Sequence, residues 1–147
     1  MTSLIRISKS LSQSGICSRR DAEKLILSGR VRVNDKVVTI LSKKVLPTDL
    51  IKVDDKLVKN FTETRLWLYH KKSGFIVSNK DPFKRPTIFQ DLKKKIDSNF
   101  LSVGRLDMNS EGLLILTNNG DLARHLELPS SNYLRKYWVQ VNGLVEQ

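Results

Sequence analysis

The sequence predicts an α+β protein of two small folded units, the second with a mixed, largely antiparallel sheet and helices to one side. Its 147 residues, 39% of them hydrophobic, can bury one ordinary core or two small ones. The apolar residues follow a helical period as far as Gly29 and a period of two from Arg30 onwards. A short polar stretch at 59–64 ends this pattern. We therefore predict one unit at residues 1–60 and another at residues 65–147.

Two short helices open the first unit. Ile7 and Leu11 lie one helical turn apart, which predicts a helix that runs up to a C-cap at Gly15. Ser18 is a suitable N-cap for a second helix, and Gly29 ends it.

Small strands complete the first unit. Val31 and Val33 alternate with arginines, and the turn residues at 34–35 predict a hairpin. A second alternating segment at 51–53 precedes another turn at 54–55. The first unit is therefore expected to close near residue 60.

The second unit shows further strands around a short helix. Residues 66–69 predict a buried strand, residues 72–74 a turn, and residues 75–77 the partner of that strand. Apolar residues at 88–92 predict a short helix, and those at 113–116 predict a buried strand. The remaining elements are a helix from Asp121 and a strand-like segment at 139–143.

The chain is strongly basic. It has 26 Lys and Arg against 15 Asp and Glu, a formal charge of +11 and a pI near 10.0, which favours polyanionic partners. Residues 1–60 contain 13 basic and 6 acidic residues, so the positive charge is concentrated in the first unit. RNA or DNA is the first partner to consider. An anionic membrane surface is the rival, but no convincing amphipathic stretch and no membrane-spanning apolar run is present.

Cysteine and histidine are rare. Cys17 is the single cysteine, and neither His70 nor His125 stands at a metal-ligand spacing from it. The sequence therefore predicts a reducing compartment, the cytoplasm, and no metal site. The first twenty residues are rich in Ser and Arg and lack acidic residues, which is also the composition of an organelle transit peptide. We favour the opening helix of a folded unit.

A candidate RNA-binding motif spans roughly residues 4 to 58. The segments Ser18-Arg19-Arg20-Asp21-Ala22-Glu23-Lys24-Leu25-Ile26, Gly29-Arg30-Val31 and Val33-Asn34 resemble the alpha-L module named after a small-subunit ribosomal protein. The resemblance implies that paired helices present basic side chains to structured RNA. The candidate contacts are Arg19, Arg20, Lys24, Arg30 and Arg32. A solvated charged face is the alternative for each residue taken alone. Phosphate contacts of this kind would position RNA without reading its sequence.

The stretch from Val103 to Leu122 contains the candidate catalytic residue. Arg105 and Asp107 stand in a turn directly before a continuously apolar strand, so the carboxylate is expected to be held rigidly at the mouth of that strand. A structural Arg–Asp pair that pins a loop is the alternative that spacing alone favours.

A second resemblance concerns the same stretch. Gly104-Arg105-Leu106-Asp107, Gly112-Leu113-Leu114 and Leu116-Thr117-Asn118 resemble the active-site signature of pseudouridine synthases that modify bacterial ribosomal RNA. The resemblance implies that Asp107 attacks the uracil ring or the anomeric carbon, and that Arg105 fills the space of the flipped base or holds a phosphate. It also implies that no cofactor, metal or ATP is needed.

Leu134-Arg135-Lys136-Tyr137-Trp138-Val139 resembles the second motif of that family. The resemblance implies that Tyr137 lies against the target base, where its ring can stack and its hydroxyl can act on a proton. A core aromatic on a strand is the alternative. Tyr133 and Trp138 are expected to be core or edge aromatics, and His125 a surface or packing residue.

Two functions remain open from the sequence. The first is a monomeric enzyme that isomerises a uridine in ribosomal RNA. The second is a non-catalytic protein that binds ribosomal RNA, because the family's later part, with a basic motif that pairs with the catalytic aspartate, is absent from these 147 residues.

Overall fold

The computed structural model describes residues 4–59, 63–79, 81–93, 95–96 and 99–144. Its architecture is α+β, as the sequence predicts, with mainly antiparallel strands and two separate clusters of buried apolar residues. The helices are α1 Ile7–Gln13, α2 Arg19–Leu27, α3 Ile88–Leu92 and α4 Gly120–Glu127, with a 3-10 turn at Pro129–Ser131. The strands are β1 Ile5–Arg6, β2 Val31–Val33, β3 Lys36–Val37, β4 Lys44–Val45, β5 Ile51–Val53, β6 Lys56–Leu57, β7 Leu66–Lys71, β8 Leu101–Val103 and β9 Gly112–Thr117.

The first core lies between the helix pair and the strands of the first unit. Ile7 and Leu11 of α1 pack with Ile26 of α2 and with Val31 of β2, and all four side chains are fully buried. The Ser18 hydroxyl accepts a hydrogen bond from the Asp21 amide, which confirms Ser18 as the N-cap of α2. Burial of these apolar faces provides the main stabilisation of helices that are too short to be stable alone.

Two tight hairpins build the four-stranded sheet of the first unit, whose order is β3-β2-β5-β6. Asn34 and Asp35 connect β2 to β3, and Asp54 and Asp55 connect β5 to β6; all four have φ between 48° and 65°. This left-handed conformation at both central residues defines the two-residue turn that matches the twist of a hairpin, and Asn and Asp tolerate it. Both predicted turns are confirmed.

The second unit has a three-stranded sheet with β9 in the centre and the order β7-β9-β8. The predicted strand at 75–77 is wrong, because β7 pairs with β9 along its whole length. Ile76 makes only an isolated parallel bridge to Thr87. The sequence could not reveal this, since β7 and β9 are joined by a long connection rather than by a hairpin turn.

Strand β7 alternates rather than being buried on both faces. Trp67 and Tyr69 face the second core with Ile88 and Leu92 of α3, whereas Leu68 is 71% exposed. The prediction of a strand is therefore confirmed, but the prediction that it is buried is right for one face only. The period of two also places Lys71 on the same face as Trp67 and Tyr69.

The chain after α4 has no regular strand in its described part. Residues 132–144 are without helix or strand, so the strand predicted at 139–143 is wrong for the structure described here. The predicted boundary between the units falls largely on residues 60–62, outside the described residues, and stays a prediction.

Asp49 links two loops of the first unit. Its carboxylate accepts hydrogen bonds from the Leu46 amide at 2.7 Å and from the Asn34 side-chain amide at 2.9 Å. Asn34 in turn accepts a hydrogen bond from the Leu50 amide at 2.9 Å. The hydrogen bond from the Leu46 amide, followed by that from Asn34, lowers the pKa of Asp49 below its usual value.

We predict that replacing Asp49 by Asn lowers the free energy of unfolding at pH 7 and weakens its decrease in acid. The folded-state pKa of Asp49 is lower than its unfolded value, so its stabilisation is complete above the unfolded pKa of about 3.9 and is lost as the pH falls through the folded pKa. Denaturant titrations at pH 7 and pH 3 measure both effects. E23Q is the control, since it makes the same charge change on a side chain that ion-pairs with Arg19 at 4.0 Å. Equal behaviour of D49N and E23Q would contradict this role of Asp49.

Candidate active site

Asp107 lies in the connection between β8 and β9, at residues 104–111. Gly104 and Gly112 stand at the two ends of this connection with φ of +71° and +128°, conformations that favour glycine. The Ser110 amide donates a hydrogen bond to the Asp107 carbonyl at 3.2 Å and closes a turn. The Gly104 amide donates to the Glu127 carboxylate at 2.7 Å, which ties the start of the connection to the end of α4. The backbone on both sides of Asp107 is therefore fixed.

Lys71 binds the backbone of this turn through hydrogen bonds from its ammonium group. The side chain is fully buried at the end of β7. Its ammonium group donates hydrogen bonds to the carbonyls of Ser110 at 2.7 Å, Lys72 at 3.1 Å and Met108 at 3.4 Å. An ammonium group has three donors, and all three are used here. A buried charge is tolerated only when it is satisfied in this way.

Two further hydrogen bonds join the Asp107 turn to the chain after β7. The Gly74 amide donates to the Met108 carbonyl at 2.8 Å, and the Ser73 hydroxyl donates to the Asn109 carbonyl at 3.4 Å. Leu106, on the other side of Asp107, packs against the second core. The turn is thus attached to β7, to the segment after it and to the core.

The electrostatics of the turn involve one cation and two carboxylates. Burial lowers the pKa of Lys71 below its usual value, while the nearby charges of Asp107 and Glu111 act in the opposite direction and favour the ammonium form. Asp107 is therefore within electrostatic range of a buried positive charge. Its own side chain is exposed at the surface of the turn.

Arg105 does not pin the turn. Arg105 and Asp107 both belong to the described part of the chain, both are exposed, and no ion pair joins them. The structural Arg–Asp pair that the spacing favoured is therefore wrong. The backbone of the turn is instead held by Lys71, and Arg105 is exposed.

Among the described residues, no hydrogen bond or ring contact joins Tyr137 to the Asp107 turn. Tyr137 is 68% exposed, and Trp138, expected in the core or at an edge, is fully exposed. Tyr133 is half exposed, and its ring makes an edge contact with His125 at 6.0 Å between centroids. His125 is itself exposed, so it is a surface residue, which is one of the two expected roles.

The predicted RNA-binding residues differ in their contacts. Arg30 forms a two-pronged pair with Asp54, and Arg32 pairs with Asp55 at 3.4 Å. The Arg30 guanidinium lowers the pKa of Asp54, chiefly through its hydrogen bonds.

On α2 the contacts are weaker. Lys24 pairs with Asp21 at 3.3 Å, and Arg19 approaches Glu23 at 4.0 Å. Arg20 is exposed and makes no ion pair with a described residue. All three α2 cations remain accessible to a phosphate.

Lys71 supports the candidate site and was not predicted from the sequence. The signal was present, because the alternation of β7 places a lysine on the same face as Trp67 and Tyr69. A charge on the inward face of a strand is rare and calls for a specific partner. Its partners are backbone carbonyls far along the chain, which the side-chain pattern does not show.

Within the described residues, no group of His, Cys, Asp and Glu side chains is arranged to hold a metal ion. None of the helices described is long and apolar enough to cross a membrane.

Comparison with known families and proteins gives consistent matches. Residues 65–147 match the RNA pseudouridylate synthase family, and residues 5–51 match the S4 domain. An uncharacterized RNA pseudouridine synthase of Rickettsia conorii is 46% identical over 138 residues, which are 94% of this chain and 59% of the relative. The ribosomal large subunit pseudouridine synthase B of Pseudomonas aeruginosa is 38% identical over 146 residues, 97% of this chain and 38% of the relative.

A crystal structure of a pseudouridylate synthase matches with a TM-score of 0.39 and 29% identity, and covers 82% of this chain and 51% of the other. That TM-score is too low to support an argument about the fold. The family match extends over more than half of the chain, so the chain belongs to the RNA pseudouridylate synthase family. It spans 59% of the length of the Rickettsia conorii relative.

We predict that replacing Lys71 by Met lowers the free energy of unfolding by roughly 2–3 kcal/mol, because three carbonyl groups lose a charged donor. Thermal and denaturant unfolding measure the change. The neighbouring Lys72 is exposed, so K72M is a matched control with an expected change below about 0.5 kcal/mol. Similar losses for K71M and K72M would show that the buried ammonium does not hold the turn.

Proposed function

We propose that this chain contributes the catalytic aspartate, Asp107, of a ribosomal RNA pseudouridine synthase. The single observation that supports this most is the exposed carboxylate of Asp107 on a turn whose backbone is attached to Lys71, Gly74 and Glu127. A nucleophile held in place before the substrate arrives avoids the entropic cost of ordering it during the reaction. Membership of the pseudouridylate synthase family supports the same assignment.

The proposed reaction is an isomerisation without a cofactor. Asp107 attacks either the uracil ring or the anomeric carbon of the ribose, and the bond from the anomeric carbon to N1 breaks. The base rotates and carbon 5 bonds to the anomeric carbon, while the bond to Asp107 breaks and restores its carboxylate. The proton leaves carbon 5, and N1 ends with a proton. Atoms and electrons balance within the nucleotide, so no oxidant or reductant is required. An ionised carboxylate is the chemical group that such covalent catalysis needs.

The target uridine has to leave its stack to reach Asp107. Flipping costs a few kcal/mol, which contacts to the opened RNA must offset. We propose that Arg105, which is exposed and makes no ion pair with a described residue, fills the vacated space or binds a phosphate. We propose further that Tyr137 lies against the flipped base. Its ring is 68% exposed and is therefore accessible to such a base.

Ribosomal RNA is the proposed substrate and partner. The concentration of positive charge in residues 1–60 and the name of the Pseudomonas aeruginosa relative support it. The proposed phosphate contacts on α2 are Arg19, Arg20 and Lys24. We propose weaker phosphate contacts for Arg30 and Arg32, because each already has an aspartate partner. We also propose that the protein acts as a monomer in the cytoplasm, where ribosomal RNA is found.

A non-catalytic RNA-binding function is the second candidate. The observation that favours it is the exposure of Tyr137, which is 68% exposed in a described segment without helix or strand. If these 147 residues act alone, they bind ribosomal RNA and leave its uridines unchanged. Turnover by the purified chain would exclude this candidate.

We predict that replacing Asp107 by Asn abolishes pseudouridine formation, lowering the rate by at least about 10³-fold, because an amide is a poor nucleophile. The assay uses ribosomal RNA without pseudouridine, in EDTA and without nucleotide, with carbodiimide adducts located by primer extension. It is run with the chain itself and with a chimera that continues into the remaining portion of the Rickettsia conorii relative.

The control for this assay is D91N, which removes the charge of a half-buried carboxylate on α3 that pairs with Lys95. D91N is expected to retain the activity of the parent. Pseudouridine formation by D107N at the parental rate would eliminate the proposed role of Asp107.

We predict that Tyr137→Phe and Tyr137→Leu separate stacking from proton transfer in the active chimera. If the ring stacks on the base, Y137F keeps most of the stacking, whereas Y137L loses about 1–3 kcal/mol of it. Single-turnover rates and RNA affinities measure the split. A large rate loss in Y137F alone assigns the hydroxyl to proton transfer, and parental rates in both variants would remove Tyr137 from the site.

A further inference from the structure

The C-terminal end of α4 bonds to the chain that follows it. The last carbonyl groups of a helix have no partner within the helix, so they need one elsewhere. The His125 carbonyl accepts a hydrogen bond from the Ser131 hydroxyl at 2.5 Å, and the Leu126 carbonyl accepts one from the Arg135 guanidinium at 2.8 Å. Arg135 stands two residues before Tyr137. This helix end therefore holds residues 131–137, which we call the Tyr137 segment.

A ring contact adds to the attachment of the Tyr137 segment. The rings of His125 and Tyr133 lie at 85° to each other with 6.0 Å between their centroids, an edge-to-face arrangement that favours contact between aromatic rings. Residues 132–137 are without helix or strand. Side-chain contacts to the last turn of α4 are thus what fixes this part of the chain.

The same helix end also holds the Asp107 turn. Glu127 is the last residue of α4, and its carboxylate accepts a hydrogen bond from the Gly104 amide at 2.7 Å. It makes no ion pair with a residue that the structure describes. The negative end of the helix dipole disfavours a carboxylate at this position, and the last turn of α4 is otherwise basic. A residue that is unfavourable for its own helix is better explained by the turn that it binds.

We propose that Glu127 and Arg135 are positioning residues that attach the Asp107 turn and the Tyr137 segment to one helix end. Glu127 acts through the backbone of Gly104, and Arg135 acts through the segment that it bonds to α4. A nucleotide that reaches Asp107 then meets a Tyr137 segment that is already held, so less ordering remains for the reaction itself.

This inference deepens the proposed function and rests on it. The competing explanation is that both contacts only stabilise the end of α4. The two explanations differ in the expected effect on the rate of the chemical step, because a contact that only stabilises the helix leaves that rate unchanged in the folded protein.

The two attachments are tested first in the full chain without RNA. Glu127→Ala should remove the protection of the Gly104 amide from hydrogen exchange, whereas Glu127→Gln keeps a carbonyl acceptor and should retain most of it. Arg135→Ala should remove the nuclear Overhauser contacts between the rings of His125 and Tyr133. Arg124→Ala is the matched control, because Arg124 is exposed in the same last turn and makes no ion pair with a described residue. It should keep both signals.

The effect on the reaction is measured in the chimera of the Asp107 assay. E127A should lower the single-turnover rate on the order of 10-fold, while its RNA affinity stays within about 2-fold of the parent. E127Q should recover most of the rate. R135A should lower the rate by a similar factor relative to R124A, which removes the same charge from the neighbouring helix turn.

Thermal unfolding shows whether the rate loss arises from instability. E127A should change the unfolding midpoint little, since the lost hydrogen bond is offset by removal of a carboxylate from the negative end of α4. A slower reaction at an unchanged midpoint supports positioning.

Four results would overturn the inference. Parental protection of Gly104 in E127A, or intact ring contacts in R135A, would show that these side chains do not hold the two segments. Equal rate losses in E127A and E127Q would assign the effect to charge rather than to the hydrogen bond. Weaker RNA affinity with an unchanged rate would make both residues RNA contacts. If the parent chimera forms no pseudouridine, the proposed catalytic function fails separately, and the exchange and ring measurements still decide whether α4 holds both segments.

Discussion

The buried ammonium group of Lys71 is the interaction on which the Asp107 turn depends. The pairing of β7 with β9 places Lys71 opposite Gly112, where the chain leaves the turn and enters the central strand. From this position one side chain reaches the carbonyls of residues 72, 108 and 110 and so joins two connections of the second unit. The ammonium group makes no ion pair with a described residue, so the three carbonyl acceptors are what compensate its burial. The nearby charges of Asp107 and Glu111 favour the ammonium form of Lys71.

The local features of the fold were predictable from the sequence. The N-cap at Ser18, the hairpin turns at 34–35 and 54–55, and the short helix at 88–92 follow from residue types whose effect extends over a few positions. The partner of β7 was not predictable in this way. The chain from 72 to 77 has the turn residues of a hairpin, but the pairing is decided by burial of Trp67 and Tyr69 against α3 and by the central position of β9. Long-range pairings of this kind leave little trace in local patterns.

The candidate site was likewise predictable only in part. The sequence indicated Asp107 through its position before an apolar strand and through the family resemblance. It assigned the neighbouring charge wrongly, because proximity in sequence suggested Arg105 as the partner that pins the turn, whereas the support comes from Lys71 across the sheet. For Tyr137, the sequence motif does not predict where the ring lies. Its motif is local, but its placement against a base is not, and in this structure Tyr137 is 68% exposed in a described segment without helix or strand.

Amide hydrogen exchange tests most directly whether Lys71 fixes the Asp107 turn. The Gly74 amide donates to Met108 and the Ser110 amide donates to Asp107, so both report on the turn itself. We expect both amides to be protected in the parent chain and in K72M. In K71M both should lose protection while amides within β9 keep theirs. Unchanged protection of Gly74 and Ser110 in K71M would contradict the account, because the turn would then be held without the buried ammonium group.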